Sequence, residues 1–110
     1  MQTIEDLNKA LIESKDYTEV SKDYLVSILS DTDKIILIRA IFVYKGEKSF
    51  FKGSKKEITS REFVSFLKDE VNPYWDEDYI VIINNDVYYI NEEGVISHYF
   101  QFILDDLDAE

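Results

Sequence analysis

Three consecutive carboxylates occur in residues 72–79 (NPYWDEDY), a segment that also holds the only proline and the only tryptophan of the chain. Asp76, Glu77 and Asp78 supply the oxygen ligands that Ca²⁺ and Mg²⁺ prefer. The spacing of an EF-hand loop is absent, however, and consecutive side chains on an extended segment alternate in direction. The triplet is therefore not expected to close around one metal ion, and it fits either a recognition surface or a solvated turn.

His98 is the single histidine, and acid–base catalysis would require an orienting partner and a nucleophile or substrate within reach. Its neighbour Ser97 would point to the opposite face of a strand. The adjacent Glu92 and Glu93 could do acid–base work in principle. No nucleophile elbow, Walker loop, dinucleotide-binding fingerprint or zinc-protease motif occurs. We therefore expect a protein that is not an enzyme and that uses no cofactor.

Length and composition suit one domain over residues 1–110, with a frayed tail at 105–110. Apolar residues make up 45% of the chain, which is enough to build a core. The chain has no cysteine, and this excludes disulfides and cysteine-ligated metal sites. No apolar run approaches the roughly 20 residues of a membrane span, and the polar, acidic start is unlike a secretory signal. We expect a soluble cytoplasmic protein without membrane association.

The formal charge of −11 is distributed unevenly along the chain. Residues 1–68 contain all 12 basic residues and 11 acids, a net of +1, whereas residues 69–110 contain 12 acids and no lysine or arginine, a net of −12. Five of the lysines fall close together, at Lys45, Lys48, Lys52, Lys55 and Lys56. Nucleic acid and anionic membranes would be repelled, so direct nucleic-acid binding is not expected and a basic protein is the natural partner. The alternative is an acidic surface that only keeps the protein in solution.

Hydrophobic periodicity predicts an α+β domain in the order α-α-β-β-α-β-β-β, with an antiparallel sheet of about five strands and two to three helices packed on one face. The first predicted helix covers residues 4–15 and follows a capping box at Thr3 and Asp6. The second is a short helix after Ser21, with an apolar stripe of Tyr24, Leu25, Ile28 and Leu29. The third begins at Thr59 or Ser60, ends at Pro73 and buries Phe63, Phe66 and Leu67.

The predicted strands are residues 34–44, 48–52, 79–83, 87–90 and 95–103, of which 34–44 is apolar enough to be buried on both faces. Their predicted connections are turns at 45–47, 84–86 and 91–94. Residues 16–20 fit a polar link, although a strand could begin at Tyr17, and residues 53–57 fit a basic loop. Residues 95–104 also fit a helical stripe.

Antiparallel pairing in the predicted meander would place the start of strand 79–83 and the end of strand 87–90 at the same end of the sheet, with Asp86 and the tail acids at the other. The candidate partner-binding residues at the first end are Asp69, Glu70, Tyr74, Asp76, Glu77, Asp78, Glu92 and Glu93. Carboxylates along such a face can take the place of phosphates, which on duplex DNA carry one charge per about 1.7 Å of axis.

Aromatic side chains flank these acids. We expect Trp75 mostly in the core and Tyr74 more exposed, where an aromatic inside a charged rim can act as a binding hot spot. Tyr88, Tyr89 and Tyr99 are expected to be divided between the two faces of the meander.

Two segments carry a resemblance to a known family, DLNKALIESKDYT at 6–18 and EFVSFLKDEVNPYWDEDY at 62–79, with an apolar strand pair between them. Over about half of the chain this layout resembles the small acidic phage anti-CRISPR proteins that inhibit type II CRISPR nucleases. The resemblance implies an N-terminal helix, a short antiparallel sheet and an acidic helical region that mimics the DNA carrying the protospacer-adjacent motif. The positions that match the acidic stretch are Asp69, Glu70, Asp76, Glu77 and Asp78. The meander after Tyr79 and the lysines at 45–56 depart from the family.

Three hypotheses follow for the function. The first is a non-enzymatic inhibitor that binds a basic nucleic-acid-processing protein, such as a nuclease, as a nucleic-acid mimic in the cytoplasm of the host cell. The second is an immunity protein whose acids cover the cationic active site of a co-encoded toxin nuclease or deaminase. The third is a regulatory or structural subunit that binds through an apolar patch. Salt dependence separates the third from the other two, and the neighbouring genes, phage or toxin, separate the first from the second.

Overall fold

The structure is a computed structural model that describes residues 3–14, 16–45, 48–52, 55–69, 78–91 and 93–104. In these residues three helices pack on an antiparallel sheet of seven strands. The elements are α1 (Ile4–Glu13), β1 (Thr18–Val20), α2 (Lys22–Ile28), β2 (Ile35–Lys45), β3 (Lys48–Lys52), β4 (Lys55–Ile58), α3 (Ser60–Asp69), β5 (Asp78–Ile83), β6 (Asp86–Ile90) and β7 (Ile96–Gln101). The strands follow the order β1-β7-β6-β5-β2-β3, and β4 also pairs with β2. The predicted α+β class is confirmed, with β1 and β4 added to the five predicted strands.

The long strand β2 has two partners on one side and one on the other. Residues 35–40 pair with β5, and the opposite side of β2 pairs first with β4 and then with β3. The register of β4 continues that of β3, with Ile38 opposite Lys55 and Ile41 opposite Lys52. The prediction of a basic loop is therefore wrong at residues 55–57. Lysine and glutamate have low strand propensity, and pairing with the long β2 strand overrides it.

The short strand β1 lies at one edge of the sheet, where Thr18 pairs with His98 and Val20 with Ile96 of β7. The expectation of a polar link at 16–20 is therefore wrong, and the alternative of a strand beginning near Tyr17 is confirmed. Because β7 pairs with both β1 and β6, the helical alternative for residues 95–104 is also wrong. Local periodicity could not decide this point, since a short apolar run fits either period.

The sheet buries side chains on both of its faces. On one face Leu25 of α2 and Phe63 and Leu67 of α3 form a core with the strands, and on the other face α1 contributes Leu7 and Leu11. The prediction that all helices pack on one face is therefore wrong. Its physical reason is β5, whose residues 79–83 are all buried, so that apolar side chains point both ways and both faces need a cover.

Local caps begin the three helices as expected. Thr3 and Asp6 form a capping box at α1, and the Ser21 hydroxyl accepts a hydrogen bond from the Tyr24 amide of α2 at 3.0 Å. At α3, Thr59 is the cap, because its hydroxyl accepts from the Glu62 amide at 3.1 Å while the Thr59 amide donates to Glu62 Oε1 at 3.2 Å.

The apolar stripe predicted for α2 is only partly buried. Leu25 is fully buried and Leu29 packs against the core, but Tyr24 and Ile28 are exposed. The helix packs on the sheet through one edge of the stripe, at Leu25 and Leu29, so Tyr24 and Ile28 on the other edge remain in solvent. The end predicted for α3 at Pro73 lies outside the described residues, as do part of the turn at 45–47 and the tail at 105–110.

A network of polar groups joins the β5–β6 turn to the loop before β2. Asn84 and Asn85 both have positive φ, at 49° and 74°, as the two central residues of a type I′ hairpin turn require. Asn84 Oδ1 accepts from the Lys34 amide at 3.1 Å, and Asn84 Nδ2 donates to Asp33 Oδ1 at 2.7 Å. Asp33 Oδ2 in turn accepts from the Ser30 amide at 2.8 Å. The carboxylate of Asp33 therefore connects two loops that are distant in sequence.

Replacing Asp33 with asparagine is expected to lower the free energy of unfolding at pH 7 by about 1 kcal/mol, since hydrogen bonds at a partly solvated site stabilise weakly. The bond from the Asn84 amide, followed by those from Ser30, holds the pKa of Asp33 below its usual value. The stabilisation is then present above the unfolded pKa of about 4 and is lost as the pH falls through the lowered native value. Urea unfolding at pH 7 and pH 3 measures this, and the gap between wild type and variant should shrink at pH 3. Asp31→Asn, at an exposed neighbouring position, is the control. An equal loss of unfolding free energy in Asp31→Asn would show that the Asp33 hydrogen bonds are not the cause.

Phe63→Ala is expected to lower the free energy of unfolding by about 3–5 kcal/mol, because it leaves a cavity between α3 and the sheet. Phe63 is fully buried and lies 6.1 Å from Phe66, centroid to centroid, in a stacked pair. Denaturant unfolding followed by circular dichroism provides the measurement. Arg61→Ala changes an exposed residue of the same helix and should stay within about 0.5 kcal/mol of wild type. A loss below about 1 kcal/mol for Phe63→Ala would contradict the packing described here.

Candidate partner-binding surface

The register of the sheet places two of the predicted acidic residues at the same end. Asp78 is the first residue of β5 and pairs with Ala40 of β2. Tyr79 pairs with Ile90 at the end of β6, so the following turn, which contains the exposed Glu93, lies at the end where Asp78 begins. Asp86 lies at the opposite end, next to Ile83. The meander therefore arranges these three acids as the sequence predicts.

The other predicted contact residues belong mainly to the segment before β5. Asp69 is the last residue of α3, and only its backbone is described. The remaining predicted residues, Glu70, Tyr74, Asp76, Glu77 and Glu92, lie outside the described residues, as does Trp75. Whether all these carboxylates gather into one acidic face therefore stays a prediction.

The lysine-bearing strand β3 lies at the same end of the sheet as Asp78. β2 continues for five residues beyond Ala40, the partner of Asp78, and pairs there with β3. In this pairing Lys52 is opposite Ile41 and Lys48 is opposite Lys45. β2 lies between β3 and β5, whose nearest ends are two strand spacings apart, about 10 Å. The strand that carries Lys48 and Lys52 therefore lies at the end of the sheet where Asp78 begins, although these residues are far from Asp78 in sequence.

Asp78 is tied to an aromatic side chain of the neighbouring strand. Its Oδ2 atom accepts a hydrogen bond from the Tyr89 hydroxyl at 2.5 Å, and the aspartate is only partly exposed. Asp78 is therefore held in a defined position at the start of β5.

Tyr89 belongs to a larger group of aromatic side chains on the α1 side of the sheet. Tyr99 lies 6.4 Å from Tyr89 in an edge-to-face arrangement, and Tyr17 stacks on Tyr99 with centroids 5.1 Å apart and planes at 26°. Tyr17, which precedes β1, thus lies in a line across the sheet with Tyr99 of β7, Tyr89 of β6 and Asp78 of β5, and we call these four residues the tyrosine row. Diagonal neighbours on one sheet face are within reach of aromatic side chains.

A β-bulge in β7 shapes this surface. Tyr88 pairs with His98 and Asp86 with Gln101, so Tyr99 and Phe100 together oppose the single residue Val87. Both bulged residues pack beside the core on the α1 side, with their rings 6.2 Å apart. With regular alternation, only one of these two rings would lie on the α1 side. The bulge therefore adds a second aromatic ring to that face.

The tyrosine row is not predicted from the sequence, although the predicted division of the meander tyrosines between the two faces is confirmed. Tyr88 lies in the core under α2 and α3, while Tyr89 and Tyr99 lie on the α1 side. The missing signal was long-range, because Tyr17 reaches Tyr99 only through the pairing of β1 with β7. Residues 16–20 were expected to form a polar link. Only a predicted strand there would have placed the Tyr17 side chain on the α1 side of the sheet.

At the opposite end of the sheet, His98 contacts Asp86. Their Nε2 and Oδ1 atoms are 3.2 Å apart, and about a third of each side chain is exposed. The His98 ring lies 4.9 Å from that of Tyr88, whereas Ser97 pairs with Tyr89, so serine and histidine face opposite ways as expected. Burial, followed by the charge of Asp86 and then Tyr24, raises the pKa of Tyr88. Asp86 can orient the imidazole of His98. Among the contacts of the described residues, no nucleophile lies beside this pair.

No group of three or more histidine, aspartate or glutamate side chains that could hold a metal ion occurs in the described part of the chain. None of its helices is long and apolar enough to cross a membrane. Comparison with protein-family models, with curated proteins and with solved structures gives no match for this chain.

Tyr88→Phe is expected to reduce the loss of stability at alkaline pH. The pKa of Tyr88 is raised in the folded protein because the fold favours the neutral hydroxyl. The resulting stabilisation is complete below the pKa of an unfolded tyrosine, about 10, and is lost as the pH rises through the folded-state pKa. Melting temperatures at pH 8 and pH 11 should therefore fall less in the variant than in wild type. Tyr17→Phe, which changes an exposed hydroxyl, serves as the control. An alkaline decline as steep in Tyr88→Phe as in wild type would contradict the prediction.

Proposed function

We propose that the protein is a non-enzymatic inhibitor that binds a basic nucleic-acid-processing protein and occupies its cationic groove as a nucleic-acid mimic, as in the anti-CRISPR proteins that its sequence resembles. The observation that carries the proposal is the charge distribution, because residues 69–110 contain 12 acids and no lysine or arginine. So many carboxylates without neighbouring cations in sequence repel one another and cost stability, which favours a role beyond solubility. A cytoplasmic location belongs to the same proposal.

The register of the sheet supports a particular orientation for this surface. Asp78 and the turn with Glu93 lie at one end, and the lysines of β3 lie on the far side of β2. We expect the charges of these lysines to weaken the negative field on their own side of β2, where screening acts over about 8 Å at physiological salt. The binding face is therefore expected to extend from Asp78 toward β6 and Glu93, away from β3.

A regulatory or structural subunit that binds through apolar contacts is the second candidate, and the exposed large side chains favour it. Tyr17 and Ile103 are 60% and 56% exposed, although large apolar residues prefer the interior. An interface of that type would change little with salt, whereas binding by a mimic should weaken steeply as salt is raised. The immunity hypothesis uses the same acidic surface and differs in the enzyme that is bound.

Binding and inhibition by the acidic face are tested with the triple variant Asp76→Asn, Glu77→Gln and Asp78→Asn. Purified protein is titrated into DNA cleavage by a guide-loaded type II CRISPR nuclease, and bound nuclease is measured in parallel between about 50 and 200 mM salt. Wild type is expected to inhibit, and the triple variant to inhibit at least about tenfold less, since each buried or rim charge pair contributes to the encounter and to the complex.

The matched control removes the same number of charges elsewhere, as Glu13→Gln, Asp31→Asn and Glu57→Gln, all exposed positions in the first 68 residues. It should inhibit like wild type if location rather than total charge matters. Equal inhibition by the acidic-face variant and wild type would reject the named surface. Failure to bind the nuclease, combined with inhibition of a co-encoded toxin enzyme, would favour the immunity hypothesis instead.

A further inference from the structure

We propose that the tyrosine row binds an arginine-containing segment of the partner protein, with one guanidinium stacked on the exposed ring of Tyr17 and a second hydrogen-bonded to Asp78 at the other end of the row. The inference rests on the proposed function, because a basic partner supplies the arginine. It deepens that function by naming the contact residues on this chain and the residue type they recognise.

The arrangement of the rings suits a planar cation. Tyr17 stacks on Tyr99 at 5.1 Å and yet is 60% exposed, so a large part of its surface is accessible. Tyr89 stands nearly perpendicular to Tyr99, at 68°, and this gives the surface both a ring face and a ring edge. A guanidinium over a tyrosine face is attracted by the ring quadrupole, and arginine stacks more readily than lysine because it is planar and weakly hydrated.

The carboxylate at the end of the row supplies the complementary charge. Tyr89 donates one hydrogen bond to Asp78 Oδ2 at 2.5 Å, and an ionised carboxylate offers about four acceptor positions in all. Asp78 therefore keeps acceptor capacity for the forked donors of a guanidinium while Tyr89 fixes its orientation. A partly buried carboxylate of this kind gains from a cation brought to it.

The charges around the row favour a cation over a nucleobase, which would also stack on tyrosine. Asp16 and Glu19 flank Tyr17 in sequence and both are exposed, and Glu93 lies at the end of the sheet where Asp78 begins. These carboxylates repel the phosphates that accompany nucleobases. The same charges attract a basic segment of a protein.

The bulge in β7 places two aromatic rings against the core on the α1 side. It directs Tyr99 and Phe100 to the same face, and Phe100 lies 6.4 Å from the buried Phe102. Tyr99 is itself partly buried, and burial, followed by Tyr17, raises its pKa. Tyr89 and Tyr99 are thus anchored against the core beneath them, so little of their side-chain entropy is lost when a ligand binds.

Titration of the full chain with a short capped peptide tests the proposal directly. The peptide contains two arginines separated by glycines, and its control carries citrulline, which has the same shape without the charge. Aromatic ¹H–¹³C NMR spectra should show shifts of the Tyr17, Tyr89 and Tyr99 rings with the arginine peptide and none with the citrulline peptide.

Three variants separate the ring contribution from general electrostatics. Tyr17→Leu should weaken peptide binding about two- to fivefold, as expected for one exposed cation–π contact, whereas Tyr17→Phe keeps the ring and should bind like wild type. Tyr24→Leu removes a tyrosine that is 51% exposed on α2, across the sheet, and should have no effect. Unchanged melting temperatures verify that each variant is folded.

Equal binding by Tyr17→Leu and wild type, or shifts confined to residues outside the row, would overturn the inference. Tighter binding of a single-stranded oligonucleotide than of the arginine peptide at the same rings would also overturn it. Neither outcome would contradict the proposed inhibitor function, because Tyr17→Leu changes no carboxylate. That function is tested separately, by inhibition of the nuclease with the triple variant Asp76→Asn, Glu77→Gln and Asp78→Asn. The inference is supported if the tyrosine rings shift with the arginine peptide and not with the citrulline peptide. These shifts should be lost in Tyr17→Leu and kept in Tyr17→Phe.

Discussion

Burial of β5 on both faces is the constraint on which the rest of the structure depends. Residues 79–83 are apolar at every position, so the sheet cannot leave either side in water. α2 and α3 cover one face, and α1 must take the other. α1 lies toward β3, and on the same face Tyr89, Tyr99 and Phe100 pack along the edge of the core at the β6–β7 side. The aromatic surface that we assign to binding is therefore a consequence of how the second face is covered.

The charge distribution has a different meaning in sequence and in space. Along the chain the acids of the last 42 residues are separated from every lysine and arginine. In the sheet, β2 carries its partner β3 past the position of Asp78, so a basic strand accompanies the acidic end. Under the proposed function, we expect the acidic face to be stronger toward β6 and weaker toward β3. Net charge alone could not have indicated that asymmetry.

Features fixed by local chemistry were predictable from the sequence. The caps at Thr3, Ser21 and Thr59 need only residues three positions apart, and the turn at Asn84 and Asn85 needs only tolerance of positive φ. The α+β class and the meander followed from periodicity.

Features that depend on distant partners were not predictable. Pairing across the sheet converts the lysine-rich residues 55–57 into a strand, orders β1, and creates the bulge at Tyr99. For the candidate site, connectivity alone placed Asp78 and Glu93 at one end of the sheet. The contact of Tyr17 with Tyr99 could not be foreseen, because it joins residues 82 positions apart, from 17 to 99.

The two outer strands of the described sheet have a bearing on self-association. An unpaired strand edge is a template on which a second copy can add its own strand, and proteins avoid this with very short or lysine-rich edges. β1 has only three residues, and β3 and β4, which form the opposite border, include four lysines among nine residues. The basic cluster at 45–56 thus acquires a role independent of any ligand. It discourages edge-to-edge aggregation of a protein whose interior strands are almost wholly apolar.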